Sequence, residues 1–487
     1  MAKSTTDSFM LELKLLASER DEAVLAQRFE YLWHIRIQLI KYARRQLSKL
    51  EADKHYRELL SERVSCPDKR RVAAIGRELG AIRLSFGLSL YGFKKYVKPM
   101  QHRFKKHIDS RTAQAEADKV WKAVDRYLFG DGNTLRLPRL DDIRSAESND
   151  NATGIKFRKG RIVWNGLCIQ LKRDSSDTYA AEALRRRVKY CRIVRRPIGT
   201  RFHYYVQLVL EGTPPWKHTT GSGRVGIDPG TMSAAVCSEG ECILTALDEG
   251  VVAHERDISR IQRAMDRSRR AMNPGNYNAD GTVRKGRKRW KYSGAYRKLS
   301  MRKQSLERRR AASLKQHHEM LANRILALGS EVYTEDMEYK ALQARAKETA
   351  VNSRGRFNRK KRFGTSLRNG APAMLLSIID RKLRYGGRSL LRVNTRAFRA
   401  SQYDHVSDDY VRKRLSERHA YVGGHEVQRD LYSAFLLMNS SDDLQSADRQ
   451  RCMDTFDNFL QKERACIAGL IHSNCKLLSS FGISRGA

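Results

Sequence analysis

Three acidic residues lie in separate strand-like or strand-edge contexts across the second half of the chain. Asp228 ends an apolar strand before a Pro-Gly turn, Glu335 ends the strand-like run 332–335, and Asp430 opens the apolar run 431–438. Carboxylates this far apart can hold metal ions only if the fold gathers them. Because Mg²⁺ prefers carboxylate and water oxygens, such a gathered set would predict a magnesium site.

The composition indicates what a site of this kind would act on. Lys and Arg number 95 against 54 Asp and Glu, which gives a formal net charge of +41. A surplus of this size favours polyanionic partners, and nucleic acid is the obvious candidate. With 487 residues, 40% of them hydrophobic, the chain can bury ordinary cores in two to four domains. The combination predicts a metal-dependent nuclease.

Cysteine usage and hydropathy give expectations about the compartment. None of the eight cysteines forms a Cys-x-x-Cys pair, which argues against a disulfide framework and against a thiolate zinc site. Glu12 and Lys14 interrupt the first apolar stretch, so it does not have the pattern of a signal peptide. No apolar run approaches membrane-spanning length. We expect a soluble, cytoplasmic protein with no membrane partner.

Each acid also has a simpler interpretation. An Asp before Pro-Gly is typical of a turn, and Asp430 could be a helix N-terminal charge stabilised by the helix dipole. Asp336 is a rival ligand to Glu335. However, alternation along a strand places Glu335, not Asp336, on the face of Tyr333.

The first part of the chain has two patterns. Residues 8–16 could form a first strand, and from about residue 21 apolar positions recur at spacings of three and four to about residue 130. The basic faces of these helices could follow a phosphate backbone or could simply be solvated. Residues 145–154 have the composition of a linker. Beyond them, 188–194 and 202–210 alternate as a long hairpin should, and with 155–171 they predict a small antiparallel sheet or barrel.

Two basic stretches fall within the second half. The first, 284–310, interleaves cations with aromatic residues, and this mixture fits a nucleic-acid channel because cations neutralise phosphates while aromatic faces stack bases. The second, 354–368, could form a lid over the site or could be a solvated loop. The candidate contact residues are Arg287, Lys288, Arg289, Trp290, Arg302 and Arg309 in the first stretch and Arg356 and Lys360 in the second.

The order of motifs around the acids resembles the RuvC-like nuclease domain of TnpB, a transposon-encoded RNA-guided endonuclease, and of the compact type V CRISPR effectors. The resemblance is strongest over 221–439 and looser over the hairpin, which resembles that family's wedge domain. Besides the acids, it rests on these segments: 379–387 with 391–394, Ser401-Gln402, 415–418 and Arg429-Asp430.

The resemblance implies a multidomain α+β protein with a helical recognition lobe, an antiparallel β wedge domain and an RNase H-like (RuvC) α/β nuclease domain with a small insert. The implied boundaries are 1–20 for the first wedge strand, 21–144 for the helical recognition domain, 145–220 for the wedge domain, 221–395 for the nuclease domain with a basic helical insertion at about 254–328, 396–427 for the degenerate target-nucleic-acid-binding insert, and 428–487 for the nuclease end and a C-terminal helix or tail.

The sequence departs from the family in this insert. Members commonly carry a four-cysteine zinc ribbon there, and the corresponding positions are Asp404, Ser407, Ala420 and Gly423. Nearby histidines 405, 419 and 425 match no standard zinc spacing. We therefore expect no zinc and a metal-free insert. Tyr432 stands where the family usually has Asn.

The resemblance also implies a reaction. Two Mg²⁺ ions, with Mn²⁺ as an alternative, would be held by Asp228 bridging both ions and by Glu335 and Asp430 on either side, while Arg418 would steady the scissile phosphate. A guide RNA would direct the protein, as a monomer per guide, to double-stranded and then single-stranded target DNA beside a short flanking motif in the prokaryotic cytosol. Two alternatives remain: an RNA-independent recombinase or resolvase, and a non-cleaving RNA-guided repressor, which would be expected to have lost an acid.

Overall fold

The computed structural model describes residues 7–484 except 131, 133, 216, 217, 253, 346–362, 413, 415, 416 and 474. Two compact units divide the chain, Met1–Pro215 and Trp216–Ala487. Both combine helices with sheets, so the predicted α+β class is confirmed. None of the helices in the described ranges is both long enough and apolar enough to cross a membrane.

The first unit contains a seven-stranded antiparallel sheet with the order β2-β6-β7-β1-β5-β4-β3. Its strands are β1 (Ser8–Leu16), β2 (Ser145–Glu147), β3 (Lys156–Arg158), β4 (Arg161–Trp164), β5 (Leu167–Leu171), β6 (Val188–Ile198) and β7 (Arg201–Glu211). The long β6–β7 hairpin turns at Gly199, whose φ of 64° suits glycine. Residues 145–154, which have the composition of a linker, begin with strand β2. This strand is part of the folded unit, since Ala146 is fully buried and Glu147 pairs with Arg192 at 2.6 Å.

Helices make up the rest of the first unit. They are α1 (Glu19–Ala52), α2 (Lys54–Ser65), α3 (Lys69–Ser85), α4 (Leu90–Arg103), α5 (Ser110–Leu128) and the short α6 (Thr178–Ala183). The sequence of α1 shows why it forms: Ser18 and Asp21 make a reciprocal capping box, and Leu25, Phe29 and Leu32 begin a fully buried stripe along one face.

The second unit is built on a five-stranded sheet with the order β10-β9-β8-β11-β12. Its strands are β8 (Arg224–Pro229), β9 (Ser233–Ser238), β10 (Cys242–Ala246), β11 (Glu331–Glu335) and β12 (Leu391–Val393). The strands β8, β11 and β12 run parallel, and β9 runs antiparallel to both β8 and β10. This arrangement places the ends of β8 and β11 at the same edge.

Helices cover both faces of this sheet. They are α7 (Glu255–Met272), α8 (Gly294–Leu328), α9 (Tyr339–Leu342), α10 (Gly364–Gly370), α11 (Pro372–Tyr385), α12 (Thr395–Phe398), α13 (Arg429–Met438) and α14 (Arg449–His472). One core joins Val225 and Ile227 to α8 and α11, and the other joins Cys237 and Tyr333 to α13 and α14. The C-terminal half of α8 is therefore part of a core of the second unit as well as of the basic insertion expected from the sequence.

Two small hairpins precede α13 in the chain. They are β13 (Tyr403–Asp404) with β14 (Asp409–Tyr410), and β15 (His419–Val422) with β16 (His425–Gln428). Buried residues of both hairpins, such as Tyr403 and Val422, belong to the core that contains α13 and α14.

Candidate active site

The register of two parallel strands brings the first two acids side by side. Thr334 on β11 lies opposite Ile227 on β8, so the next residues along the two strands are Glu335 and Asp228. Because Ile227 points into the core beneath α8 and α11, alternation turns Asp228 towards the face covered by α13. Glu335 follows the same parity as Tyr333, which packs on that face. The two carboxylates thus share one sheet edge and one face.

Asp336, the rival ligand, lies elsewhere. Its side chain is 68% exposed and pairs with Arg392 at 3.3 Å. The alternation used for the sequence prediction places this carboxylate away from Glu335.

Close packing of α13 on the sheet brings the third acid near the first two. A Cβ atom on Gly226 would overlap the Ala434 carbonyl oxygen and the Met438 amide nitrogen, so the helix backbone lies directly against β8. At the far end of the helix, Arg224 Nε donates to the Met438 carbonyl at 2.9 Å. Glycine at 226 is therefore a condition for the position of α13.

The beginning of α13 is fixed by a buried polar network. Gln428 is the N-cap residue, and its side-chain oxygen accepts from the Leu431 amide at 2.7 Å. The Gln428 amide donates to the carboxylate of Glu463 on α14, and its side-chain nitrogen donates to the Phe481 carbonyl at 3.4 Å. Asp430 lies in the first helical turn, so these contacts set its place.

The other two acids act electrostatically on Asp228. Burial, then Asp430, then Glu335 raise the pKa of Asp228 well above its usual value, while Arg429 opposes them. Burial raises the pKa of Glu335 to about 7. Arg429, which directly precedes Asp430 in the sequence, forms an ion pair with it at 3.1 Å. An excess of buried negative charge at one place is what a bound cation would relieve.

The donor chemistry fits Mg²⁺, since the set offers only carboxylate oxygens. The side chains are not closed around an ion position: among the described residues no group of three or more His, Cys, Asp or Glu is spaced to hold a metal.

Arg418 lies close to the third acid through its backbone. Its carbonyl accepts from the Arg429 amide at 3.0 Å, so the residue lies at the open end of the β15–β16 hairpin, beside the start of α13. The side chain is partly buried. A phosphate contact by Arg418 stays a prediction.

The positions of the missing cysteines are held by other contacts. The Asp404 carboxylate accepts from the amides of Val406 and Ser407 at 2.9 and 3.4 Å. Next to it, His405 is fully buried and its Nδ1 lies 2.8 Å from the Tyr432 hydroxyl. Tyr432 thus ties this hairpin to α13.

The first basic stretch contains an ordered loop between α7 and α8. Asn273 holds it together, because its side chain donates to the carbonyls of Arg269 and Lys291 and accepts from the Lys291 amide. Trp290 is partly buried, edge-on to Tyr277 and beneath the Arg269 guanidinium at 5.2 Å. Trp290 therefore packs on its own loop and on α7, and base stacking by this residue stays a prediction.

The remaining candidate contact residues have these positions: Arg287, Arg289, Arg302 and Arg309 are exposed, Lys288 is partly buried, and Arg356 and Lys360 lie outside the described residues. Nucleic-acid contact by all of them stays a prediction.

Sequence reasoning missed two residues near the acids. Glu463 continues the apolar positions 452, 456, 459 and 460 on one face of α14, and a carboxylate on such a stripe is a usable signal of a buried polar role. Tyr339, at the beginning of α9, gave no sequence signal because its place depends on the fold around it.

No protein-family model and no curated protein matches the sequence. Among solved structures, a cryo-EM structure of a Cas12f1–sgRNA–target DNA complex matches with 12% identity and a TM-score of 0.41, covering 90% of this chain and 99% of that chain. The chain is similar to Cas12f. A cryo-EM structure of a CRISPR-Cas12f ternary complex also matches, with 12% identity, a TM-score of 0.23, and 86% and 83% of the two chains covered. Because both TM-scores are below 0.5, the functional inference rests on the residues of the site.

Proposed function

We propose that this chain is an RNA-guided DNA endonuclease with a single metal-dependent cleavage site. The convergence of Asp228, Glu335 and Asp430 carries the proposal, since burial and mutual repulsion raise the pKa of Asp228. Three acids that are costly to bring together without a cation, in a chain with a net charge of +41, suit the hydrolysis of a polyanion.

We assign the five-stranded sheet to the RNase H-like class that the resemblance to TnpB implies. The central strand β8 ends in the first acid, the parallel neighbour β11 ends in the second, and a helix packed across β8 carries the third. The predicted domain organisation follows the same assignment, with a helical recognition domain at 21–144, a wedge domain at 145–220 and a nuclease domain from 221.

The resemblance implies a different metal-binding role for each of the three acids. Asp228 would bridge two Mg²⁺ ions, with Glu335 and Asp430 each completing one side. The bound ions would supply the charge that activates water and stabilises the leaving oxygen. Arg429 keeps a guanidinium beside Asp430 and so limits the repulsion before metal arrives.

The proposed partners are a guide RNA and target DNA. The exposed cations of α8 and the loop before it provide the phosphate-neutralising surface, and base pairing between guide and target would supply sequence specificity. RNA guidance is tested by sequencing RNA that copurifies with the protein. An RNA-free preparation that cuts DNA unaided would instead favour the recombinase or resolvase.

Cleavage is tested with the guide-loaded protein and Mg²⁺. Asp228→Ala should abolish cutting and keep target binding, because the metal ligand is lost while the nucleic-acid surface is unchanged. Asp336→Asn is the matched control, since this neighbouring acid is exposed, and it should cut at the normal rate. Cutting by the Asp228→Ala protein would refute the site; a wild type that binds and never cuts would favour the repressor.

A further inference from the structure

A buried tyrosine hydroxyl group near the acids has no role in the cleavage reaction proposed for them. Tyr339 begins α9, four residues after Glu335, and its ring packs against the sheet core beneath α8 and α11. Its hydroxyl oxygen is inaccessible to solvent and has no hydrogen-bond partner among the residues that the structure describes. A polar atom left in this state is unusual, because buried hydroxyl groups are nearly always hydrogen-bonded.

Two acids of the site act electrostatically on this hydroxyl. Besides burial, which raises the pKa of Tyr339, the charged groups that act on it are Asp228, Arg392 and Glu335. The phenol therefore stays protonated at neutral pH and is available as a donor. Neither Asp228 nor Glu335 accepts a hydrogen bond from it in the described contacts, so the donor has no acceptor there.

The reaction would supply that acceptor. A phosphodiester placed at the Asp228–Glu335 pair would bring non-bridging oxygens whose negative charge grows during attack by water. A donor already fixed in a water-poor position stabilises such charge without reorganising, and this is the usual reason for tolerating an unpaired polar group at an active site.

We propose that Tyr339 is a further catalytic residue that donates a hydrogen bond to a non-bridging oxygen of the scissile phosphate. This inference rests on the proposed function, since it requires a phosphodiester at the acid site. It distinguishes Tyr339 from Arg418, whose predicted role uses a charged group at the start of the β15–β16 hairpin.

The test is Tyr339→Phe, which removes only the oxygen atom. In the guide-loaded protein with Mg²⁺ and saturating target we expect cleavage to slow about 10- to 100-fold, with unchanged target affinity. In metal-free protein we expect an equal or higher Tm, because the variant no longer buries an unpaired hydroxyl. A lower Tm with normal cleavage would show a structural role and overturn the inference.

Tyr333→Phe is the matched control. It makes the same change on β11, where the hydroxyl lies 3.4 Å from Glu331, and it should cut at the normal rate. Asp228→Ala separates the two proposals. If that variant is inactive and Tyr339→Phe cuts normally, only the role of Tyr339 fails; if Asp228→Ala remains active, the acid site and the role of Tyr339 fail together.

Discussion

Glu463 should make the stability of the metal-free protein fall as the pH rises. Its side chain lies on α14, the residue is only 2% exposed, and it accepts the Gln428 amide hydrogen at the beginning of α13. Burial raises its pKa to about 7, against the opposing effects of this hydrogen bond, His419 and Arg464 and with a small reinforcement from Glu426. The folded protein therefore holds this proton more tightly than the unfolded chain does.

The magnitude follows from the two pKa values. Below about pH 4.5 the carboxyl is protonated in both states and contributes no pH dependence, whereas above about pH 7 it is ionised in both and the full cost of the buried charge is present. Between these limits stability falls with rising pH, by about 3 kcal/mol in all. Glu463→Gln keeps an oxygen that can accept the Gln428 amide and cannot ionise, so it should be more stable than wild type by about 3 kcal/mol at pH 8 and equal to it near pH 4.5.

The assay is thermal unfolding in the presence of a chelator from pH 5 to pH 8. A difference of about 3 kcal/mol corresponds to roughly 6 to 12 °C in Tm for a unit of this size. Asp457→Asn, an exposed position on the same helix, is the control and should follow the wild type at every pH. If Glu463→Gln and wild type have the same Tm at pH 8, Glu463 ionises there without cost and the buried position assigned to it is wrong.

Two further substitutions test the packing that holds the site. Gly226→Ala should lower the free energy of unfolding in urea by about 1–3 kcal/mol and slow cleavage, because the new methyl group displaces α13. Gly240→Ala is the control, since its methyl group meets no atom nearer than 3.9 Å, and it should change neither stability nor cleavage. Equal losses in both variants would contradict the close approach of α13 to β8. Tyr432→Phe removes the partner of the buried His405 and should cost about 1–3 kcal/mol, while Tyr421→Phe, at a 74% exposed position, should be neutral in the same measurement.

The period of two along β8 and β11 is enough to place Asp228 and Glu335 on one face and to set Asp336 aside. This works because strand parity is a local property. Asp430 has two interpretations, as a charge at a helix N-terminus and as a member of the acid group. The two are compatible, because Asp430 lies in the first turn of α13 and also acts electrostatically on Asp228.

Other features depend on contacts between distant parts of the chain and have no local signature. The link from Gln428 to Glu463 spans 35 residues. The Tyr339 hydroxyl, which has no partner among the described residues, is buried because α9 folds against the sheet core. Trp290 is a further case, since composition cannot show that this aromatic ring packs on Tyr277 of its own loop and on Arg269 of α7.

The packing of α14 limits how far this protein could be shortened. Residues after 440 carry no acid of the site, and a designer would remove them first. Yet Glu463 on α14 accepts a hydrogen bond from Gln428, the residue that caps α13. Phe456 on the same helix packs on His405 of the β13–β14 hairpin, with 4.7 Å between the ring centroids. A version cut at 440 would retain all three acids and lose the contacts that position the third, so useful deletions must be sought in other segments.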